Sequence, residues 1–310
     1  YYATSERSQD AFICWLVSFA LPDSRKDNIL KDCAKEFICL LNSEIDKEGL
    51  ILEKIERQKD NIDILLTVKS NSQQYIIIIE DKTFTDPHDN QLVRYLKQTK
   101  EKYPDCTVNG AFYKTGFQGD LSSVINAKYT IVTRDRVLNL MQRYLKDTSN
   151  EIFKDYYYFW NQFHERSKAY KDIPIKKWDW MQVNGFYDSV HNSDFCKSNK
   201  LSSNYLYVPN PSGGFFALWI SDPNNSNKIT KDIPYDLYLQ MEAVWNYQND
   251  QYDIKICLKQ AILNAEKMKS QKISHRNIRD AVMYYGDRSS RIEKYNFLKP
   301  KRLGSGVHMT

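Results

Sequence analysis

Apolar residues recur at every third or fourth position near the start of the chain and predict two amphipathic helices. Over residues 6–20 the apolar stripe consists of Phe12, Trp15, Leu16 and Phe19. Residues 28–45 repeat this spacing, and Ser5 is placed to cap the first of the two helices. Each helix therefore has one face to bury against a neighbouring layer.

Three closely spaced strands follow the helices and are separated only by short polar turns. The strand segments cover residues 49–58, 61–69 and 74–82, and they are rich in aliphatic side chains. Because the turns "KDN" and "SNSQ" are so short, we expect adjacent strands to pair antiparallel. The three strands thus form a meander.

The chain then alternates between helical and extended segments. The pattern predicts helices over residues 90–104, 136–145 and 149–170 and strands over residues 107–116 and 129–133. A meander with helices before and after it, followed by further strands, is typical of an α/β layered core.

A connector near residue 170 predicts a division into two domains, residues 1–170 and residues 171–310. The second part combines a hairpin around "NPSGG" with further strands and one helix, so we expect an α+β accessory domain. Its predicted elements are a hairpin over residues 204–222, strands over 235–245 and 252–259, and a helix over 274–286.

The composition points to a soluble globular protein. The chain has 310 residues, of which 42% are hydrophobic, and this is enough for a sizeable core. Its longest aliphatic run, Ile76–Ile79, is far too short to cross a membrane. The six cysteines are scattered without a C-x-x-C pair, so we expect reduced cysteines and a cytoplasmic location.

Positive charge is concentrated at the C-terminal end. Residues 251–310 contain 13 Lys and Arg but only 5 Asp and Glu, whereas the whole chain has a net charge of +5. A basic end of this kind suits a polyanionic partner such as nucleic acid. A solvated lysine-rich surface would give the same composition, and charge alone does not separate the two.

Charged residues stand where the second and third strands are otherwise aliphatic. Glu80 and Lys82 are two residues apart and so project from one face of a strand. If the turn before residue 74 folds the two strands together, Asp63 comes near them. Two converging carboxylates form a site for a hard divalent cation, and an adjacent lysine can stabilise phosphate charge. The alternative is a set of polar edge residues that discourage aggregation.

The motifs "NID", "EDK" and "QLVRY" together resemble the PD-(D/E)xK nuclease superfamily. In that family the second strand carries an acid and the third strand carries (D/E)-x-K, which match Asp63 and the stretch from Glu80 to Lys82. Ile62 stands where the family name has proline. The helix residues Gln91 and Tyr95 resemble the Q-x-x-x-Y motif of RecB-like members, and the chain is similar to a bacterial and phage subgroup.

The resemblance implies a restriction-endonuclease-like core of order α-β-β-β-α-β with a mixed central sheet. It also implies a prokaryotic, divalent-metal-dependent nuclease that hydrolyses phosphodiester bonds, with DNA as the favoured substrate. In this interpretation Asp63, Glu80, the backbone carbonyl near Asp81 and the first-helix residue Glu6 bind Mg²⁺ or Mn²⁺.

The remaining roles follow from the same resemblance. Lys82 would position water and stabilise charge, while Gln91 and Tyr95 would complete the catalytic site. Basic residues expected to contact nucleic acid are Lys114, Arg288, Arg291, Lys299, Lys301 and Arg302.

A second triplet with the same spacing occurs later in the chain. Asp236 is followed by "DIK" from Asp253 to Lys255, with the same separation of 17 residues as between Asp63 and Glu80. Only the first triplet has the Q-x-x-x-Y helix and the first-helix glutamate beside it. The alternative function is a catalytically inactive nuclease fold that binds nucleic acid or another protein.

Overall fold

The computed structural model describes residues 6–24, 27–85, 87, 90–211, 213–224 and 235–262, together with residues 270, 272, 277 and 280. Ser5, the predicted cap, and nearly all of the helix predicted over 274–286 lie outside these residues. The chain divides into two compact units, Tyr1–Arg166 and Ser167–Thr310. Each unit has its own sheet.

The first unit begins with helices, continues with a meander and ends with alternating elements. Its described helices are α1 (Glu6–Val17), α2 (Asn28–Leu41), α3 (Gln91–Lys102), α4 (Ser122–Asn126), α5 (Arg134–Tyr144) and α6 (Glu151–Lys168). Its described strands are β1 (Ile51–Lys59), β2 (Ile62–Ser70), β3 (Gln73–Lys82), β4 (Thr107–Lys114) and β5 (Thr130–Thr133). The helices and strands expected in this part of the chain are confirmed. The structure adds the short helix α4, which was not expected.

These five strands form one mixed sheet in chain order. The pairs β1–β2 and β2–β3 are antiparallel, whereas β3–β4 and β4–β5 are parallel. The change of direction occurs after β3, because α3 carries the chain back over the sheet before β4 begins. The expected α/β fold with a mixed central sheet is confirmed.

The strand β3 is buried on both faces, which explains its unbroken aliphatic run. Ile76 and Ile78 pack with Leu92 and Tyr95 of α3 on one face. Ile77 and Ile79 are also fully buried and alternate with them toward the opposite face. The same alternation continues through the polar residues at the end of β3, so Glu80 lies on the α3 face and Asp81 on the opposite one.

The end of β3 is held close to the end of β4. A Cβ atom at Gly116 would lie 1.9 Å from the carbonyl oxygen of Thr83. No side chain fits at that distance, so glycine allows the two backbones to approach each other. This contact lies immediately after Lys82 in the chain.

The second unit contains an antiparallel sheet, two α-helices and two short 3-10 helices, Ala169–Lys171 and Ile175–Lys177, in its described part. The strands β6 (Ser202–Val208), β7 (Phe215–Ser221), β8 (Tyr235–Asn246) and β9 (Gln251–Ile262) pair in chain order. The hairpin around "NPSGG" and the two later strands are therefore confirmed. The helices α7 (Trp180–His191) and α8 (Asp194–Ser198) were not expected. Asp179 and Gln182 form a capping box that marks the start of α7.

All six cysteines are free, and half of them are buried. Among the described residues, no helix is both long enough and apolar enough to cross a membrane.

Candidate active site

Three charged side chains converge where β2 begins and β3 ends. The Nζ atom of Lys82 lies 2.6 Å from Oε1 of Glu80 and 3.9 Å from Oδ2 of Asp63. Asp63 is fixed by the backbone, because its Oδ2 accepts a hydrogen bond of 2.9 Å from the N–H of Asp81. The antiparallel pairing of Ile64 with Ile79 brings these residues together.

Glu80 is completely buried, and only one of its carboxylate oxygens is satisfied. Its Oε1 accepts hydrogen bonds from Lys82 Nζ and, at 2.7 Å, from Gln91 Nε2. Its Oε2 has no hydrogen-bond partner among the described residues. Burial, followed by the charge of Asp63, raises the pKa of Glu80 to about 7. The site therefore has a surplus of negative charge that Lys82 only partly balances.

Lys82 remains charged at this position. Burial by itself would lower its pKa, but the charge of Glu80 and the hydrogen bond to it outweigh burial and raise the pKa. The same ammonium donates a hydrogen bond of 3.1 Å to the backbone carbonyl of Asp81. That carbonyl, expected as a metal ligand, thus lies beside the carboxylates and faces the lysine.

The first turn of α3 lies directly against Glu80. Asn90, with φ of 54°, adopts a left-handed conformation and turns the chain into the helix. Besides its bond to Glu80, Gln91 Nε2 donates to the hydroxyl of Tyr95 at 3.1 Å. That hydroxyl in turn donates to the carbonyl of Asn61 at 2.7 Å. One chain of hydrogen bonds therefore connects Glu80 to the turn before β2.

Glu6 reaches the same strand from α1 but binds the backbone beyond Lys82. Its Oε1 accepts hydrogen bonds from the N–H of Thr83 at 3.2 Å and from Oγ1 of Thr85 at 2.6 Å. The charge of Glu6 contributes to the raised pKa of Glu80. Glu6 is thus close enough to act electrostatically, while its hydrogen bonds go to the segment after β3.

The side chain of Asp81 points to the opposite face of the sheet. It is fully buried, its Oδ1 accepts from Gln9 Nε2 at 3.2 Å, and its Oδ2 has no described partner. Burial, and then the charge of Asp10, raises its pKa well above the usual range. A second buried acidic group therefore lies directly behind the first.

Gln9 is a residue of this region that sequence reasoning did not single out. Its amide donates to Asp81 and Thr83, and its carbonyl oxygen accepts from Thr115 Oγ1 at 2.7 Å and from the Tyr156 hydroxyl at 3.2 Å. Every donor and lone pair of the amide is used. The sequence feature that could have identified Gln9 is its position three residues before Phe12, on the apolar stripe of α1.

A comparison with protein-family models gives one match in this region. Residues 12–159 match the model of the PD-(D/E)XK nuclease superfamily. The matched segment contains β2, β3 and α3, and so contains every converging side chain except Glu6 and Gln9. The segment of residues 12–159 belongs to the PD-(D/E)XK nuclease superfamily. Comparisons with curated proteins and with solved structures gave no match.

The carboxylates of this nuclease-superfamily site are compatible with a divalent cation. The described residues contain no group of three His, Cys, Asp or Glu side chains arranged around one ion. The oxygens of Asp63 and Glu80 are nevertheless hard ligands of the type that Mg²⁺ prefers, and Oε2 of Glu80 is free to bind. The donor set therefore fits a metal with additional water or phosphate ligands.

Lys114 lies beside this superfamily motif on β4, opposite Lys82 in the sheet register. It is only 5% exposed, and its Nζ donates to the carbonyl of Thr85 at 2.9 Å. Because the side chain is buried, a phosphate contact from Lys114 would require this part of the structure to open. The other predicted nucleic-acid contacts lie outside the described residues: Arg288, Arg291, Lys299, Lys301 and Arg302.

The second triplet does not assemble a comparable site. In the register of β8 and β9, Asp236 lies opposite Ala261, whereas Asp253 lies opposite Val244. Eight residues of β8 therefore separate the two acids, or about 26 Å at 3.3 Å per residue. Asp253 instead accepts hydrogen bonds from Asn246 and Gln251.

Proposed function

We propose that this chain is a divalent-metal-dependent nuclease that hydrolyses phosphodiester bonds in DNA. The observation that carries the proposal is the buried carboxylate of Glu80, whose Oε2 has no described partner although Lys82 and Asp63 are adjacent. A buried oxygen of this kind is costly unless it binds a cation or a proton. Membership of a nuclease superfamily favours the cation.

In this proposal Asp63 and Glu80 hold Mg²⁺ or Mn²⁺, with contributions from the carbonyl of Asp81 and from Glu6. When bound, the ion supplies Lewis-acid stabilisation of charge at the scissile phosphate. Perturbed pKa values and a specific charge partner in one cluster support a functional site over a purely structural one.

The protein side chains have separate tasks around the scissile phosphate. Lys82 keeps its proton because Glu80 stabilises the charge, so it can orient a water molecule and stabilise negative charge in the transition state. Gln91 fixes the orientation of Glu80, and Tyr95 anchors Gln91 to the turn at Asn61. Lys114 and the basic residues near the C-terminus would hold the nucleic acid.

The test compares cleavage by the wild type and by two lysine variants. Plasmid, linear duplex, single-stranded DNA and RNA are each incubated with Mg²⁺, with Mn²⁺ or with a chelator. We expect cleavage of DNA only with metal, and a loss of at least about 100-fold in Lys82→Ala. Lys255→Ala is the matched control, since Lys255 holds the same place in the second triplet; its activity should be unchanged.

Two outcomes would contradict the proposal. If Lys82→Ala cleaves like the wild type, the assigned site is wrong. If no nucleic acid is cleaved with either metal, while binding weakens steeply as salt rises, the chain is a binding module on a nuclease fold. Calorimetric titration with Mn²⁺ separates these cases further, because Asp63→Ala should abolish the heat of binding.

A further inference from the structure

A cavity of about 550 Å³ opens beside α3, on the same face of the sheet as Glu80. It lies between α3, the first half of β4 and the turn that follows α4. Its apolar lining residues are Val93, Leu96, Val108 and Ala127. A volume of this size is within the range of small-ligand sites, and a single nucleotide fits in it.

The rim of this cavity is cationic. Lys97, Lys100 and Lys128 line it and are exposed, and Glu101 is the acidic residue among the lining residues. None of the three lysines forms an ion pair with a described residue. Their charges are therefore available to an anion that enters the cavity.

A second cavity on the other flank of α3 provides a contrast. It has about 410 Å³ and is also lined by lysines, Lys59 and Lys102. Those two ammonium groups are already paired, with Glu56 and with Asp60 respectively. An anion would have to displace these carboxylates, so the cavity with unpaired lysines is the better anion site.

The helix α3 connects the cationic cavity to the candidate active site. Gln91, at the start of α3, touches Glu80, and Lys97 and Lys100 follow on the same helix. With a rise of 1.5 Å per residue, they lie about 9 and 14 Å along the axis from Gln91. At the rise of about 3.4 Å per nucleotide of a stacked strand, this distance corresponds to roughly three to four nucleotides.

We propose that this cavity binds an unpaired nucleotide of the substrate strand, three to four nucleotides from the scissile phosphate. The proposal rests on the function proposed above. The three lysines contact the backbone phosphates, and the apolar floor takes a base. A duplex keeps its bases stacked inside and offers only phosphates, so the apolar floor favours a single strand.

The test measures binding of single-stranded DNA and of blunt duplex of equal length to the full chain, in chelator so that nothing is cleaved. The cavity variant is Lys97→Ala/Lys100→Ala/Lys128→Ala. The control is Lys31→Ala/Lys35→Ala/Lys146→Ala, which removes the same charge from the opposite side of the sheet. The helices α2 and α3 lie on opposite sides of the sheet. Phe37 of α2 packs on Tyr113, whereas Phe112, the preceding residue of β4, packs with α3.

We expect the wild type to bind the single strand more tightly than the duplex. The cavity variant should lose roughly tenfold or more in affinity for the single strand, and its slope of log affinity against log salt should become shallower by about 2, or about 0.7 per lost contact. The control should keep the wild-type slope. Equal losses in both triple variants, or equal weakening for duplex and single strand, would overturn the proposal.

A short phosphodiester separates this proposal from the proposed nuclease activity. A dinucleotide reaches the active site but not the cavity, so the cavity variant should cleave it with Mn²⁺ at the wild-type rate. Failure of every form to cleave any substrate contradicts the nuclease, while the single-strand binding result still decides the cavity. Normal cleavage together with wild-type binding by the cavity variant contradicts the cavity alone.

Discussion

Asp10 is a buried carboxylate behind the candidate site, and no role was predicted for it. It is 1% exposed, accepts a hydrogen bond of 2.9 Å from Gln58, and lies 3.8 Å from Arg57. Its Oδ1 has no described partner. Burial, followed by the charge of Asp63, raises the pKa of Asp10 to about 6. Its ionisation is therefore linked to the charge of the site.

This shift predicts a dependence of stability on pH. The pKa of Asp10 in the folded protein, about 6, is above the ordinary value of 3.8, so the folded state binds the proton more tightly than the unfolded state. The contribution to stability is complete below about pH 4 and is lost as pH rises through about 6. It amounts to about 2 to 3 kcal/mol.

Urea unfolding of the wild type and of Asp10→Asn between pH 4 and pH 7 measures this contribution. The wild type should lose about 2 to 3 kcal/mol more than the variant over that interval. Asp147→Asn, an exposed position, serves as the control and should follow the wild type. Parallel curves for wild type and Asp10→Asn would show that Asp10 does not titrate in this range.

At the residue scale, the sequence predicts the charged side chains of the site but not the residues that hold them in place. Strand alternation is local, so it places Glu80 and Lys82 on one face without any knowledge of the fold. Gln9 is different, because its partners Asp81 and Thr115 are more than 70 positions away. A glutamine on the apolar stripe of a helix can be seen in the sequence and indicates a buried polar group. Its hydrogen-bond partners can be identified only in the folded structure.

At the scale of elements, the end of β3 is held from two sides. On the α3 face, Gln91 binds Glu80. On the α1 face, Gln9 binds Asp81 and Thr83, and Tyr156 of α6 binds Gln9. The backbone that carries the candidate catalytic side chains is therefore clamped between helices, which limits the movement of Glu80 and Lys82.

Gln9→Leu tests the clamp on the α1 side. Leucine has a similar size but no hydrogen-bonding groups, so the buried oxygens of Asp81 and Thr83 would lose a donor. We expect the free energy of unfolding to fall by about 2 to 4 kcal/mol. It is measured by urea titration at neutral pH.

Gln142→Leu is the matched control for that change. Gln142 is exposed on α5, so its replacement should change stability by no more than about 0.5 kcal/mol. If both variants are equally stable, the hydrogen bonds of Gln9 are not what holds the end of β3 in place.

The order of elements was largely predictable, and the exceptions have physical reasons. The meander and α3 have strong periodicity and short turns, so their positions followed from local patterns. The helix α7 was not predicted because its sequence contains Gly185, and glycine is a poor helix former. A Cβ atom there would lie 1.8 Å from the carbonyl of Ser167, so tertiary packing requires the glycine.

At the scale of the whole molecule, the candidate site belongs to one of the two compact units. Every described contact of the site joins residues within Tyr1–Arg166. The family match, residues 12–159, lies in the same unit. The first unit therefore contains all the elements that form the site. The hairpins and the basic C-terminal end belong to the second unit.

A chain that ends at Lys168, where α6 ends, should fold without the second unit. For a domain of this size we expect cooperative unfolding with a free energy of about 5 to 15 kcal/mol. The fragment should also cleave a dinucleotide with Mn²⁺. Circular dichroism on heating, together with the cleavage assay, checks both expectations; a fragment without cooperative unfolding would contradict the independence of this unit.

The amino-acid pattern was enough to predict the order of helices and strands in the first unit, apart from the short α4, and the shared face of Glu80 and Lys82. These features depend on local periodicity, which any segment carries with it. The choice between the two triplets needed the folded structure, because strand register brings Asp63 to Lys82 but leaves Asp236 and Asp253 apart. The burial of Lys114 and the contacts of Gln9 also became visible only in the folded chain. Register and burial are set by residues distant in the chain, and local patterns carry no information about them.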